Sequence, residues 1–375
     1  MKISFVVINP DYFISHRLDL AKNLAKLHDV HLITNLASAS ESKIQEITDL
    51  GISVHHLSNR AGSFDIAGYL KYIYNLKNLI QLQKFDYVFY VTLEMSTLGA
   101  LINNFLKIKK SYFLITGIGP FFYSKKLKYK LYRFIQKIIF ILLRFKNNYL
   151  FIFQNDDDQE IFINKKLCRY GMSTIIQGNG VDTSYFKYLK REVASKITFL
   201  FASKLIYSKG IIEFMNASKK IAEKFQGIKF YVAGNYDPYN PDTISAKDFE
   251  NIKTSDYIEY KGFIETKKMR DCLYESSVLV LPSYGEGLPK VALEASATGL
   301  PLILSNVSGC RDCLIEGKNG LLVEAKNSHA IEIAMEKFIN QKELINIYGK
   351  FSSEFVNTKF SLRIISQKFL DLLED

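Results

Sequence analysis

The chain has 375 residues, which is too long for one typical hydrophobic core, so two domains are expected. With 48% hydrophobic and 23% charged residues it is not a disordered chain, and it has no low-complexity run or internal repeat that would predict a long linker or a solenoid. Its net charge of +11 is compatible with an anionic partner. Its four irregularly spaced cysteines do not predict a disulfide framework and favour a protein of a reducing compartment.

The first half of the chain alternates strand-like and helix-like segments. It opens with "MKISFVVINP", whose apolar run is too short for a signal peptide and predicts a buried first strand. An apolar-periodic run at 18–27 predicts a helix, and "VHLIT" predicts a second strand. The runs "YVFYVT", "SYFLIT" and "YLFIF" follow, each with a segment of helical length after it. This alternation predicts βαβ units and a mainly parallel sheet.

The positive charge is concentrated in residues 101–150, which contain eleven Lys and Arg and no acidic residue. Lys137, Arg144 and Lys146 interrupt the apolar stretch there, so it does not predict a membrane-spanning helix. Basic residues interleaved with Tyr, Phe, Ile and Leu are typical of a helix that lies on an anionic membrane surface. A partly buried helix with a solvated basic face is the first alternative. Nucleic acid is the second alternative, without a known reader motif to support it.

The strand–helix pattern restarts after "QGNGVDTSYF". The runs "ITFLFAS", "IKFYVAG", "YIEYKGF" and "VLVLP" predict strands, with helices expected at 209–225 and near 267–276. The sequence therefore predicts an α/β fold of two Rossmann-like, doubly wound parallel-sheet domains that face each other across a ligand cleft. The turn "GNGVD" sets the boundary between domains 1–177 and 178–355, and residues 356–375 are expected to form a helix that packs back toward the N-terminal domain.

The stretch "LPSYGEGLPKVALEASATGLPLILS" (281–305) places two glutamates eight positions apart. The strand before it ends at the carboxyl edge of a parallel sheet, and Pro289 suits the first turn of the helix that follows. That helix start exposes free N–H groups and the positive end of the helix dipole, which bind phosphate. Glu286, before the helix, can reach a group attached beyond the phosphates, and Glu294 can accept hydrogen bonds from a diol such as ribose. The pattern predicts a nucleotide-sugar site.

This stretch resembles the E-x7-E region of the retaining glycosyltransferases of family 4, which have the GT-B fold. "GNGVDTSYF" resembles the interdomain turn of that family, "FASKLIYSKGI" its phosphate-contacting strand, loop and helix, and "YKGFI" the segment that lines the nucleobase. "SNVSGCRDCLIEGKNGLLV" resembles the stretch that follows the second glutamate. "NPDYFISHRLDLAKNLAKL" and "LITGIGPFF" are similar to a subset that transfers sugars to polyprenyl-diphosphate-linked acceptors in bacterial surface-glycan assembly.

The resemblance implies a role for each matching residue. Lys204 and Lys209 would bind the donor diphosphate, and fixed cations with a helix end would stabilise the charge on the leaving diphosphate without a metal. Glu286 would bind the sugar hydroxyls and Glu294 the ribose. The family usually has Arg at position 204, where Lys supplies a point charge instead of a bidentate fork. The residues assigned to catalysis are Glu286, Lys209 and Lys204, and those assigned to nucleotide-sugar binding are Glu294, Gly287, Leu288, Pro289, Lys290, Ser203 and Phe263.

The N-terminal half departs from the family pattern. Many relatives have a His after the fourth strand, where this chain has Leu93 and Glu94, and a Gly-Gly pair after the first strand, where this chain has "NPDYFISHR". His16 and Arg17 are expected to open a helix at that place and to face the cleft, contacting an acceptor or donor phosphate, with a capping or surface pair as the alternative. Gly117 is assigned to the same N-domain site.

Two motifs that could bind metal are given structural interpretations. "NDDDQE" (155–160) follows a strand and is expected to cap and start a helix, not to form a metal-binding DxD. Cys310 and Cys313 form a CxxC without a second pair at ligand spacing. They are expected to be two small half-buried residues and not zinc ligands or a redox pair. Neither a metal nor a cofactor is expected.

The sequence as a whole predicts a retaining, metal-independent glycosyltransferase that uses a UDP-hexose or UDP-N-acetylhexosamine. Its acceptor is expected to be a saccharide linked to a polyprenyl diphosphate, in O-antigen or capsule-type glycan assembly, and no nucleic acid partner is expected. The protein is expected in the cytoplasm, bound peripherally to the inner face of the cytoplasmic membrane through 101–150. The alternatives are a transferase with a soluble acceptor, and a catalytically silent GT-B protein that binds membrane or polyanion.

Overall fold

The computed structural model describes residues 1–37, 39–57, 66–118, 127–143, 146–192 and 196–374. The chain divides into two compact units, which we call the N-terminal unit (Met1–Gly180 with Ile365–Asp375) and the C-terminal unit (Val181–Ile364). The predicted boundaries at 177/178 and 355/356 therefore differ from those of the structure at 180/181 and 364/365. The second difference arises because a helix runs without a break from Glu343 to Lys359.

The N-terminal unit is built on a seven-stranded sheet. Its strands are β1 Lys2–Val6, β2 Asp29–Thr34, β3 Ser53–His56, β4 Tyr87–Val91, β5 Lys110–Ile115, β6 Tyr149–Phe153 and β7 Ser173–Ile175. The strand order is β3-β2-β1-β4-β5-β6-β7, and all neighbours pair in parallel. The helices are α1 Pro10–His16, α2 Leu18–Ala25, α3 Glu41–Thr48, α4 Ile66–Gln83, α5 Leu93–Ile102, α6 Leu127–Leu143 and α7 Asp156–Asn164. The predicted parallel α/β architecture is confirmed.

Side chains are buried on both faces of this sheet, which explains why its central strands are near-continuous apolar runs. All five residues of β4 are buried. On one face, the ring of Phe89 stacks on Phe5 and on Tyr112, with centroids 5.1 and 4.5 Å away. On the other face, Phe113 packs against Phe151 at 5.2 Å. Each face therefore has its own aromatic core, and helices must cover both.

Helix α6 carries the middle of the basic segment 101–150. It buries Phe140 and Leu143, and the buried Gln136 donates from Nε2 to Thr97 Oγ1 at 2.9 Å. Residues 119–126 and 144–145 of the segment lie outside the described residues. Across the described part of the chain, no helix combines the length and the apolar character needed to span a bilayer.

The C-terminal unit is built on a six-stranded parallel sheet. Its strands are β8 Thr198–Ala202, β9 Lys229–Ala233, β10 Ile258–Gly262, β11 Val278–Leu281, β12 Leu302–Ser305 and β13 Gly320–Val323, in the order β10-β9-β8-β11-β12-β13. The helices are α8 Ile211–Lys224, α9 Ala246–Lys253, α10 Thr266–Tyr274, α11 Lys290–Ala297, α12 Ser328–Asn340 and α13 Glu343–Lys359. The strand order reverses between β8 and β11, so their carboxyl ends lie side by side. Ligands of open α/β sheets bind at such a switch point.

The last helix, α14 (Leu362–Glu374), completes the core of the N-terminal unit. Ile365, Phe369 and Leu373 are buried in the cluster that contains the residues of β1 and β4, and Phe369 lies 5.9 Å from Phe89 between ring centroids. Tyr87 donates from its hydroxyl group to the carbonyl oxygen of Leu373 at 3.0 Å. The helix therefore belongs with the N-terminal unit from Ile365 onward, nine residues later than the predicted start at 356.

Two histidines lie in contact on neighbouring strands of this unit. Nδ1 of His31 lies 2.8 Å from Nε2 of His55, so one ring donates the hydrogen bond and the other accepts it. Burial lowers the pKa of His55, and the positive charges of His31 and Lys2 lower it further, while Asp29 raises it. The folded state therefore favours a neutral His55.

We predict that the free energy of unfolding falls as the pH decreases from 7 to 5. Because the folded pKa of His55 lies below its ordinary value of 6.5, this stabilisation is fully present above 6.5 and is lost as the pH falls through the folded pKa. Urea unfolding at several pH values measures the effect. His55→Gln should show a weaker dependence on pH, and equal slopes for the two proteins would contradict the assignment.

Candidate active site

Two loops of the C-terminal unit meet at the switch point of its sheet. The phosphate loop (203–210) follows β8 and the glutamate loop (282–287) follows β11, and Tyr284 donates from its backbone N–H to the carbonyl oxygen of Ser208 at 2.8 Å. Gly210 has φ +73°, and a Cβ atom there would collide with the carbonyl oxygen of Pro282. The loops can approach this closely only because residue 210 is glycine.

The central contact of the site is an ion pair between these loops. Nζ of Lys209 lies 2.6 Å from Oε1 of Glu286, and the hydroxyl group of Ser283 donates to the same oxygen at 2.7 Å. The side chains are 23% and 12% exposed for Lys209 and Glu286, respectively. This partial burial reduces the screening of the pair by water. Lys209 was predicted to bind the diphosphate of the donor and Glu286 its sugar. Without a ligand, the two side chains neutralise each other.

Helix α11 begins immediately after the glutamate loop. Its N-cap is Pro289, with no side-chain hydrogen bond at the cap, so the helix starts at Lys290. Proline has no N–H group, which removes a competing donor at this place. Thr298 ends the helix and Gly299 follows with φ +85°. The helix N-terminus therefore presents N–H groups and a positive dipole end next to Glu286, as predicted.

Glu294 lies one turn inside α11 and is only 4% exposed. The Nζ atom of Lys290 lies 3.4 Å from its Oε1 atom, an i,i+4 ion pair along the helix. Because Lys290 is itself a predicted site residue, this contact brings two of the predicted residues together.

The remaining predicted residues of this unit are less closely connected to the ion pair. The side chain of Lys204 is exposed, and no ion pair in the described part of the chain includes it. Ser203 is half-buried, and Phe263 is 71% exposed, which leaves its ring accessible for stacking. Leu288 packs against the core of the unit. The carbonyl oxygen of Gly287 approaches Gly309 so closely that a Cβ at position 309 would collide with it.

Sequence reasoning missed the residues that hold each of the two loops in place. Besides Ser283, these are Tyr284, which donates from its hydroxyl group to Oε1 of Glu213 at 2.7 Å, and Asp242, whose Oδ2 accepts from the N–H group of Ser208 at 3.2 Å. Burial raises the pKa of the Tyr284 phenol, and Glu213 raises it further, so Tyr284 acts as a neutral donor. The sequence feature that could have indicated these contacts was the pair of polar residues Ser283 and Tyr284 in "PSYGEG".

The predicted residues of the N-terminal unit differ in their surroundings. His16 is the last residue of α1, with Nδ1 2.6 Å from the hydroxyl group of Ser15 and its ring stacked on Tyr12 at 4.4 Å. Arg17 separates α1 from α2 and is only 2% exposed. The expectation that the pair opens a helix is therefore confirmed for Arg17, which is the N-cap of α2, and is wrong for His16, which ends α1. Gly117 follows β5 with φ 139° and is half-buried.

The two motifs that could bind metal, "NDDDQE" and the CxxC of Cys310 and Cys313, are parts of the folded framework. The side chain of Asn155 accepts from the N–H group of Asp158 at 2.8 Å and caps α7, so the predicted capping role is confirmed. Cys310 and Cys313 are free thiols and are completely buried, not half-buried as predicted. Burial raises the pKa of both thiols, which keeps them protonated.

Family models match both units of the chain. The model "Glycosyl transferase 4-like" matches residues 2–155, and "Glycosyl transferases group 1" matches residues 187–354. One relative is the N,N'-diacetylbacillosaminyl-diphospho-undecaprenol alpha-1,3-N-acetylgalactosaminyltransferase of Campylobacter jejuni, 24% identical over 88% of this chain and 88% of that protein. A second is the capsular polysaccharide biosynthesis glycosyltransferase CapM of Staphylococcus aureus, 28% identical over 51% of this chain and 48% of CapM.

Solved structures show the same fold. The crystal structure of HepE from Anabaena in complex with UDP-glucose superposes with a TM-score of 0.79 and covers 100% of this chain and 99% of that one. The sequence identity is 16%, so the match supports the fold alone. Together with the two parallel sheets, it confirms the predicted two-domain GT-B class.

We predict that Glu286→Gln increases the affinity for free UDP by about 2- to 10-fold, a gain typical of losing one partly exposed ion pair. Removing the carboxylate charge makes the Lys209 ammonium group available to a phosphate. Isothermal titration calorimetry measures the change. Lys209→Met should weaken UDP binding, and the double variant should bind like Lys209→Met alone. Unchanged or weaker binding by Glu286→Gln would show that the ion pair does not compete with the ligand.

Proposed function

Because the chain belongs to the glycosyltransferases, with a 4-like N-terminal and a group 1 C-terminal region, we propose that it transfers a hexose or N-acetylhexosamine from a UDP-sugar to a lipid-linked saccharide. The acceptor is a saccharide carried on a polyprenyl diphosphate, and the product belongs to O-antigen or capsule-type glycan assembly. The new bond keeps the anomeric configuration of the donor. Since the chain is a transferase, the alternative of a catalytically silent protein is set aside.

The observation that carries this proposal is the Lys209–Glu286 contact beside the N-terminus of α11. During transfer the bond between the anomeric carbon and the phosphate oxygen breaks, negative charge develops on the leaving diphosphate, and the acceptor oxygen bonds to the anomeric carbon while its proton passes to the leaving diphosphate. Lys209, Lys204 and the helix end supply positive charge for that group without a metal. Glu286 then exchanges its lysine partner for sugar hydroxyls, and Glu294 binds the ribose.

The lipid-linked acceptor is supported by one relative and by the surface of α6. The name of the Campylobacter relative states that it acts on a diphospho-undecaprenol-linked saccharide. In this chain, α6 exposes apolar side chains at positions spaced three or four apart, which places them on one face. These are Leu127, Leu131, Phe134, Ile135, Ile138 and Leu142, each 45–81% exposed.

Exposed basic residues accompany this apolar face. Lys130 and Lys137 are exposed on α6, and the whole segment 101–150 has no acidic residue. An apolar face with basic neighbours suits the boundary between lipid headgroups and acyl chains on an anionic leaflet. We therefore place the protein at the cytoplasmic face of the membrane through α6. A soluble acceptor is the alternative, and it predicts no benefit from a lipid surface.

We predict that Glu286→Ala reduces the transfer rate by about 100-fold or more, because the sugar loses the contact that positions it. Glu294→Ala should mainly raise the KM for the donor, since it would remove a ribose contact. Ser283→Ala should have a smaller effect than Glu286→Ala, because it only orients that carboxylate. Transfer from UDP-sugars to a short polyprenyl-diphosphate saccharide measures these effects, and proton NMR of the product reports the anomeric configuration.

Three outcomes of that assay would contradict parts of the proposal. Near-normal turnover by Glu286→Ala would remove the residue from the site. EDTA should leave the rate unchanged, so activity that is lost with EDTA and restored by Mn²⁺ would return attention to Asp156–Asp158. An inverted anomeric centre would contradict retention and leave the transferase assignment intact.

We predict that the protein sediments with liposomes containing anionic lipid and is released by high salt, because exposed charges are screened within roughly 10 Å. Replacing Phe134 and Ile138 with Ser should weaken binding, as should replacing Lys130 and Lys137 with Gln. Ile347→Ser removes a similarly exposed apolar residue of the C-terminal unit, 59% exposed, and should have no effect. Equal binding to neutral and anionic vesicles would reduce α6 to an ordinary solvated helix. Lys125, Lys126 and Phe145, which belong to the same basic segment 101–150, lie outside the described residues.

A further inference from the structure

Arg17 is a buried cation with two donor atoms that have no partner among the described residues. It is 2% exposed, and its Nε and Nη1 atoms are shielded from solvent without a hydrogen-bond partner among the described residues. Its sequence neighbours Phe13 and Leu18 belong to the apolar core of the N-terminal unit. A guanidinium group carries five N–H donors, and buried donors are nearly always paired in proteins.

No carboxylate of the described residues supplies a counter-charge. Burial lowers the pKa of Arg17, and the titratable group that acts on it, Tyr12, only partly offsets this effect. The acidic residues closest in sequence are engaged or solvated, since Asp11 pairs with Lys43 at 2.5 Å and Asp19 is exposed. Arginine stays protonated in proteins, so it remains a buried, uncompensated positive charge.

We infer that Arg17 is the receptor for a phosphate group of the acceptor, a step that rests on the proposed function. Among side chains, the planar guanidinium is the best suited to bind two oxygens of one phosphate at the same time. Arg17 belongs to the N-terminal unit, whereas the phosphate loop with Lys204 and Lys209 belongs to the C-terminal unit. The protein thus has one phosphate site for each of the two phosphorylated substrates that the reaction brings together.

An intramolecular partner is the competing explanation. Asp65 and Asp375 are the acidic residues that lie outside the described part of the chain. The two explanations predict opposite effects of Arg17→Met, a replacement of similar length without charge. If the anion comes from a substrate, the ligand-free protein loses only an unpaired buried charge and becomes more stable. If the anion is Asp65 or Asp375, the variant leaves that carboxylate without its partner and becomes less stable.

The first experiment uses the full chain with Lys204→Ala and Lys209→Ala, which removes the cations of the phosphate loop. The probe is inorganic pyrophosphate, and the measurement is the thermal unfolding midpoint. Pyrophosphate should raise the midpoint by a few degrees, malonate should raise it less, and Arg17→Met should abolish the response while raising the midpoint of the ligand-free protein. Arg17→Lys should keep part of the response.

Three outcomes of this experiment would overturn the inference. The first is a full pyrophosphate response in the Arg17→Met protein. The second is destabilisation by Arg17→Met that Asp65→Asn or Asp375→Asn reproduces, which would establish an internal ion pair. The third is a response to malonate as large as the response to pyrophosphate, which would indicate a carboxylate site.

The second experiment compares transfer to a saccharide on a polyprenyl diphosphate with transfer to the same saccharide on an uncharged lipid. The ratio to be measured is kcat/KM for the diphosphate-linked acceptor divided by kcat/KM for the uncharged acceptor. Arg17→Met should reduce this ratio by about 10-fold or more, which is the loss in binding expected from one charge-assisted hydrogen bond to a phosphate. Asp65→Asn should keep the wild-type ratio. Equal losses on both acceptors would overturn the inference. A wild-type protein that uses neither acceptor would contradict the proposed function, while the pyrophosphate experiment would still test Arg17.

Discussion

The ion pair between Lys209 and Glu286 exists because β8 and β11 are neighbours in the sheet. The two residues are 77 positions apart in the chain, and only the reversal of strand order at this point brings their loops to one edge. Gly210 then lets the backbones touch, and Ser283 fixes the carboxylate. The chemistry therefore depends on backbone packing first and on the charged side chains second, since a displaced loop would separate the charges without changing either residue.

The structure divides the work of the site between two kinds of residue. Lys209, Glu286 and Glu294 carry the charges that would bind the proposed nucleotide sugar, whereas Tyr284, Glu213 and Asp242 anchor the individual loops through hydrogen bonds. The residues of the first group can be replaced or moved very little, because the proposed ligand sets the distances between their charges. The second group only has to keep the loops in place, so its chemistry can be met by many residue combinations.

The sequence predicted the strands that are buried and the site residues that follow them, because both leave a local pattern. Strands β4, β8 and β11 are continuous apolar runs, and the E-x7-E spacing with Pro289 marks a helix start. Strand β3 was not predicted, since its "SVHH" is polar and forms only through pairing with β2. The burial of Arg17 was also beyond reach, because it depends on packing between residues far apart in the chain. Tyr284 was missed because its partner Glu213 is 71 positions away.

The place of α14 has a consequence for how the protein is made. Most of the N-terminal unit is synthesised before the C-terminal unit, but Phe369 and Leu373, which fill its core, are added only after the whole C-terminal unit. Until they are added, the apolar surface around Phe89 and the hydroxyl group of Tyr87 lack their packing partners. The unit that is begun first therefore cannot complete its core until the entire C-terminal unit has been synthesised.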